Sequence, residues 1–428
     1  MLNSYKKNIK TWAKDLFPLN RSLAGKYNRL TINYIKNNIN KNFKLKGVKS
    51  GTKICSWTIP KEYSISKALL KDQNGNIACD FKNNNLHVLG SSSSVNKWLK
   101  YSELKKHIFT SEKVPTAIPY VTSYYQKNWG FCMSKEQFKK LNKKQKYKAE
   151  IQSKFFSGVM NYSELVIKGK SNKEILICSY ICHPSLANNE LSGILGICLL
   201  SKMIKKTKYT IRLLLIPETI GAIYYINKRI NSLKKNLIAG FNLTCIGLDG
   251  PYTLISSINE NTYADKIVRR VGAKYKKFKI LSFDKRGSNE RQFGCQNLNL
   301  PFVTICRKRF GEYKEYHTSD DNLKILNYNS IFKTIKFVKK IIDEINNNKI
   351  FTKKNYCEPF LAKKKLIKNL STIKNMKNKN RFYISSFLAY TDHNHDLRSL
   401  AEKLKISKKI IEKTSKLLLK NKLIEQKF

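Results

Sequence analysis

The chain has 428 residues and sets 83 Lys and Arg against 29 Asp and Glu, a net charge of +54. With 41% hydrophobic and 11% aromatic residues it can bury a sizeable core, which excludes a disordered basic polymer. No run approaches the roughly 18 apolar residues that a membrane-spanning helix needs. The first residues, MLNSYKKNIKTWAKDLF, read as a basic amphipathic helix with no apolar leader or cleavage site, so a cytoplasmic protein is expected.

Nearly all the excess charge is Lys rather than Arg and it is spread along the chain. Residues 351–428 hold 20 basic and 6 acidic residues, only a modest enrichment. Solvated lysine faces explain this better than phosphate recognition, which favours Arg forks. The ten cysteines form no C-x-x-C pair and mostly sit in apolar runs such as ILICSY and FVTIC, as buried thiols in a reducing compartment would.

In chain order, helices are expected at about Ser4–Phe17 and Leu23–Asn38, covering a sheet formed later. Residues 48–146 read as short β-rich runs broken by Gly, Pro and Asn, an inserted β domain within an α/β domain made of 1–47 and 147–350. Between Glu174 and Asn347 strand and helix patterns alternate: EILICSYI, then LSGILGICLLSKMIKK; IRLLLIP, then TIGAIYYINKRI; LIAGFNLTCIG, YTLISS, the helix ENTYADKIVRRVGAKY, PFVTIC and a closing helix. This alternation predicts a largely parallel sheet with helices on both faces, whose site lies beyond the carboxyl ends of the strands. At 370–428, two short helical patterns separated by a turn at Lys405–Ser407 and followed by LIEQKF fit a winged helix-turn-helix.

Six histidines are present. His87, His107, His393 and His395 read as core-edge, surface or helix-terminal residues. His183 follows a buried strand in Ile181–Glu190, and His317 lies in Glu315–Asp321 soon after another. Pro217-Glu218-Thr219, Asp249-Gly250 and the loop Arg286–Gln292 occupy equivalent strand ends. Taken singly, each has an ordinary explanation: a turn at His183-Pro, a turn at Asp249-Gly250, a helix cap at Glu218. Taken together, five polar clusters converge on one rim. Two imidazoles with carboxylates form a donor set suited to Zn²⁺, and a carboxylate such as Glu218 could act as general base.

These residues, with Leu16–Leu23 (LFPLNRSL), Trp57–Glu62, Ile118–Tyr125, Trp129–Cys132, Leu191–Gly193, Pro217–Gly221 and Tyr316–Ser319, make the chain resemble bacterial aminopeptidase-like proteins with an M28-type zinc peptidase fold. The resemblance implies a zinc-exopeptidase-like (phosphorylase/hydrolase-like) three-layer α/β sheet with an inserted small β domain and a C-terminal winged helix. It places His183 and His317 at the first and last metal ligands, Glu190 and Asp249 as further ligands and Glu218 as the base. Asn189, Arg286, Glu290, Arg291 and Tyr316 would contact substrate. Asn189 stands where the family has a metal-bridging Asp and Thr219 where it has a second Glu. Neutral groups cannot balance two dications, so one Zn²⁺ per chain is expected rather than two.

The expected function is zinc-dependent hydrolysis of an amide in a peptide or a modified sugar, of the kind associated with surface-polysaccharide biosynthesis. The alternative is a catalytically weakened binding or regulatory module that recognises DNA or a partner through the winged helix. Homodimer pairing through that unit is left open.

Overall fold

The computed structural model describes residues 2–367, 379–392 and 395–427, with side chains described from Tyr5 onward. His393 and residues 370–378 of the expected winged helix lie outside the described residues. In chain order the principal elements are α1 (Leu2–Leu16), α2 (Lys26–Tyr34), β1 (Lys44–Lys49), β2 (Glu62–Asp72), β3 (Ile77–Asp80), β4 (Val95–Lys100), β5 (Lys146–Phe156), β6 (Val159–Ile167), β7 (Ser171–Tyr180), α3 (Ser192–Met203), β8 (Tyr209–Ile216), α4 (Ile220–Asn236), β9 (Leu237–Leu243), β10 (Tyr252–Ile255), α5 (Tyr263–Gly272), β11 (Phe278–Leu281), β12 (Phe302–Cys306) and α6 (Tyr328–Asn346). The last unit comprises β13 (Phe351–Lys353), α7 (Lys379–Tyr390), α8 (Leu397–Leu404), α9 (Lys408–Lys420) and β14 (Ile424–Gln426).

One eight-stranded sheet runs in the order β1-β6-β8-β7-β9-β12-β10-β11. Its centre, β8-β7-β9-β12, is parallel, while β1, β6 and β10 join antiparallel. The near-continuous apolar runs of β7 and β8 follow from burial on both faces. Alternate residues divide between two cores: Ile175, Ile177, Leu213 and Leu215 point to the layer of α1, α3, α5 and α6, whereas Leu176, Cys178, Leu214 and Ile216 meet Ala222 and Tyr225 of α4. This period-two split makes the fold three-layered. From Ser192 to Ser201 every residue of α3 is buried, as its lack of a polar face requires. From β7 the chain crosses to β8 on one side and then returns to β9 on the other. The crevice at such a reversal is where a sheet of this kind holds ligands.

A second, four-stranded antiparallel sheet, β3-β2-β5-β4, packs around Ile65, Leu70, Leu99, Tyr147 and Ile151. β5 carries this small sheet past residue 146 to Phe156, and β1 belongs to the large sheet although it crosses residue 47. Their composition alone does not separate these strands from their neighbours.

The last unit packs α7, α8 and α9 around Phe387, Leu400, Ile411 and Leu418, with β13 and β14 paired antiparallel. Lys405 adopts a left-handed conformation (φ 52°) that ends α8, and the Ser407 side chain caps α9. An ion pair fastens this unit to the sheet domain. Both Arg270 terminal nitrogens of α5 donate to the Asp396 carboxylate at 2.9 Å, and Asp396 also accepts from Ser399 N at the start of α8. Burial works to raise the Asp396 pKa, but the Arg270 guanidinium outweighs it and holds the carboxyl below its ordinary value. Arg270→Ala strands that charge in the interface. The expected result in calorimetry is a loss of about 3–5 kcal/mol and separate, earlier melting of the C-terminal unit.

Candidate active site

The connection between α1 and α2 delivers Arg21 beneath the carboxyl end of β7. Arg21 is 1% exposed and Glu190 wholly buried. Arg21 Nε donates to Glu190 Oε1 at 2.5 Å, and its Nη1 donates to the Leu16 carbonyl at 2.7 Å. Glu190 Oε2 accepts from Cys182 N at 2.6 Å, from His183 N, and from His183 Nδ1 at 3.1 Å. Both oxygens of this carboxylate are committed, so Glu190 orients the first imidazole. With Nδ1 directed at Glu190, His183 leaves Nε2 as the nitrogen that a metal could take on release of its proton.

Burial works to lower the His183 pKa and is outweighed by the Cys182 sulfur and the Glu190 carboxylate, which raise it well above the ordinary imidazole value. His317 lies with its ring centroid 5.6 Å from that of His183. Burial, and then the charge of His183, lower its pKa to about 3, and its Nε2 is buried without a hydrogen-bond partner. Tyr316 stacks on His317 at 3.9 Å, and the Tyr120 ring stands 5.2 Å from His183 and 5.0 Å from His317.

Glu218 is at the end of β8, before a strained backbone position. Thr219 has φ 61° and ψ −79°, and Ile220 N donates to the Glu218 carbonyl at 2.8 Å. That is a γ-turn of the rare hand, costing about 1–3 kcal/mol in a β-branched residue. Asn289 Oδ1, accepting from Thr219 N, and Arg291 Nη2, donating to Thr219 Oγ1 at 2.8 Å, brace the turn. Burial raises the Glu218 pKa above the ordinary carboxylate value, with His183 and Arg291 opposing it. Ser185, Cys245 and His317 also have positive φ at neighbouring loop positions.

Asn189 receives the Tyr180 hydroxyl on its side-chain oxygen at 2.9 Å and on its carbonyl at 2.6 Å, and its Nδ2 is buried without a partner. Glu290 is wholly buried and accepts from Gly287 N, Ser288 N, Asn242 Nδ2 and Thr304 Oγ1, so it builds the loop and has no surface to offer a substrate. Arg286 turns outward over the Phe283 ring and pairs with Asp284 at 3.5 Å. Asp249 is exposed and accepts from Asn327 Nδ2 and Ser330 Oγ at the start of α6. Its expected place as a ligand is therefore corrected: at a strand end followed by Gly, it serves a helix N-terminus.

Four residues outside the expected set complete the site: Arg21, Tyr120, Cys182 and Asp321. Arg21 and Tyr120 lie within motifs that marked the resemblance, and Cys182 is adjacent to His183. Asp321 accepts from Asn188 N at 2.6 Å, Asn189 N at 3.0 Å and the Tyr313 hydroxyl at 2.8 Å, anchoring the turn into α3. Its signal, an acidic residue four positions after His317, is too common to single out.

Among the described residues, Cys182, His183 and Glu190 form a group with possible ligand atoms within 4.8 Å of one another. Glu190 is bound as above, and Cys182 Sγ accepts from Glu218 N at 3.2 Å. The imidazole pair, with its unpartnered Nε2 on His317, offers two of the three protein ligands that a catalytic zinc ion takes.

A family model described as a domain of unknown function (DUF4910) matches residues 10–348, and one described as a winged helix-turn-helix matches 349–426. A Clostridium acetobutylicum protein, named as a candidate polysaccharide biosynthesis protein with an aminopeptidase-like domain, is 37% identical over 358 residues, 82% of this chain and 81% of that one. A crystal structure of a candidate peptidase from C. acetobutylicum aligns with a TM-score of 0.79 and 32% identity, covering 98% and 96% of the two chains. A zinc aminopeptidase from Bacillus subtilis aligns at TM-score 0.59 and 12% identity, covering 80% and 94%. An M28 peptidase precursor from Shewanella amazonensis aligns at 0.55 and 11%, covering 83% and 99%. The fold is that of M28 aminopeptidases.

Burial raises the Asp321 pKa to about 6. The folded chain therefore binds a proton more tightly than the unfolded chain, and the associated stability is full below the unfolded value and lost as pH rises through about 6. Comparing urea unfolding of the parent with Asp321→Asn between pH 4 and 7, the parent should lose about 2.4 kcal/mol more than the variant.

Proposed function

As the chain belongs to the DUF4910 family, here followed by a winged helix, we propose that it hydrolyses an amide at the carboxyl ends of β7 and β8, with Glu218 as general base. The observation that carries this reading is the convergence of two imidazoles, one fixed by Glu190 and the other with an unpartnered Nε2, on a carboxylate whose pKa is raised. The description of the B. subtilis neighbour as a zinc aminopeptidase and the imidazoles of this site favour zinc. His183 and His317 would hold one ion, which supplies polarisation of the amide carbonyl and a more acidic water.

The chain's own groups do the rest. The Glu218 carboxylate accepts a proton from water and returns it to the departing nitrogen, a role for which a raised pKa is suited. The braced turn at Thr219 fixes where that carboxylate points. Tyr120 and Tyr316 wall the imidazoles from bulk water. Arg21 already neutralises Glu190, and Asn189 carries no charge, which supports one ion over two.

Glu218→Gln should lower the hydrolysis rate by about 10²–10⁴-fold with unchanged zinc content, as measured by elemental analysis. His183→Ala should remove the zinc. A zinc-replete protein that binds none, or an active Glu218→Gln, overturns the reading.

A second reading rests on α9. Lys409, Lys413, Lys416 and Lys420 recur at helical spacing on its exposed side, a charge stripe suited to phosphates. If it contacts DNA, affinity should fall steeply with salt, and replacing the four lysines by Gln should flatten that slope. Absence of binding at about 50 mM salt removes this reading.

A further inference from the structure

A cleft of about 590 Å³ opens where the Arg21–Gly25 connection, the small sheet and the segment after Tyr120 meet. Its walls include the rings of Tyr63, Tyr124, Tyr125 and Phe155, together with four serines, Gln126, Lys61 and Lys127. No carboxylate lines it. Tyr125 is 54% exposed and Phe155 43%, so both rings are open to a ligand in the cleft. The rings are nonetheless held in place: Tyr125 donates to the Thr58 carbonyl at 3.1 Å and meets Trp57 edge-on at 5.9 Å, and Tyr63 lies 5.1 Å from Phe155.

One ring, Tyr120, lies between the wall of this cleft and the imidazole pair. Tyr124 on its wall shares a 2.8 Å hydrogen bond with the Tyr120 hydroxyl, and Tyr120 packs against both His183 and His317. Ser22, also on the wall, directly follows Arg21.

The chemistry of the lining selects among amide substrates. A peptide bound by its amino end brings an α-ammonium that needs an uncommitted carboxylate. Glu190 is neutralised by Arg21, Asp321 is saturated by three donors, and the cleft offers only lysine charges. A sugar ring has the opposite needs. Its C–H face lies flat on an aromatic ring and its edge of hydroxyls takes hydrogen bonds from serines and an amide, the mixture of apolar wall and few polar groups that gives a ligand site its orientation.

We propose that this cleft is a saccharide subsite, and that the amide presented to Glu218 is the acyl group of an N-acylated amino sugar. The proposal rests on the hydrolase reading for its second part only, because the subsite itself can be occupied without turnover.

The test is calorimetric titration of the full chain with chitotriose, and in parallel with trialanine amide. The expected result is chitotriose binding to the parent and equally to Glu218→Gln, retention in Tyr125→Phe, and at least tenfold weakening in Tyr125→Ala and in Phe155→Ala. Thermal melting of each variant establishes that it is folded. The proposal is overturned if chitotriose does not bind at millimolar concentration, if Tyr125→Ala binds it as well as the parent, or if trialanine amide competes for the same cleft. Chitotriose binding without hydrolysis of any amide sinks the hydrolase reading and leaves the subsite. Peptide hydrolysis without chitotriose binding does the reverse.

Discussion

The buried ion pair between Arg21 and Glu190 is the constraint on which the site depends. It joins residues 169 positions apart and closes the α1–α2 connection under the end of β7. The same carboxylate collects two backbone N–H groups and the His183 ring, so one anion sets the loop path and the imidazole orientation together. Such a pair adds little net stability compared with apolar groups of similar volume, because both charges must leave water. Losing either partner, however, strands a charge where no solvent can reach it. The arrangement is thus stable against small disturbance and intolerant of substitution at either end.

Much of the architecture could be read from residue patterns because the physics behind it is local. The alternation in EILICSY and IRLLLI assigns successive side chains to the two faces, and the structure divides them between two cores in that manner. The all-apolar α3 had to be central. Strand ends and the residues just beyond them were visible for the same reason, and this located His183, Glu218 and His317. What the residues could not disclose was pairing across distance. Nothing local links Arg21 to Glu190, so the ion pair beneath β7 is not visible in the residues around either partner. Asp249-Gly250 has the pattern of a site residue, but its carboxylate is drawn to the start of α6 by Asn327 and Ser330. β6, with a short mixed sequence, is a strand because β1 and β8 flank it.

Strain is concentrated where the chemistry is. A threonine held in a γ-turn next to the proposed base persists because the Asn289 and Arg291 side chains secure it from a separate loop. That loop is in turn organised by Glu290, whose four donors come from the loop itself, β9 and β12. The acidic residue that touches nothing outside the fold therefore governs a turn one strand away.

The small sheet domain is sewn to the rim that carries His317 through main-chain bonds. Ile118 to Tyr120 runs antiparallel to His317–Ser319: Tyr120 N donates to the His317 carbonyl at 2.7 Å, Ser319 N donates to the Ile118 carbonyl at 2.8 Å, and Pro119 bridges Thr318. Because these bonds are made by backbone, exchanges other than to proline leave their donors in place, and the inserted domain is tied directly to the segment that carries the second imidazole. Insert and strand-end rim are thus held together at the second imidazole. Grafting a foreign insert onto this sheet would replace half of the wall around His317, and trimming the insert would remove a strand from the site itself.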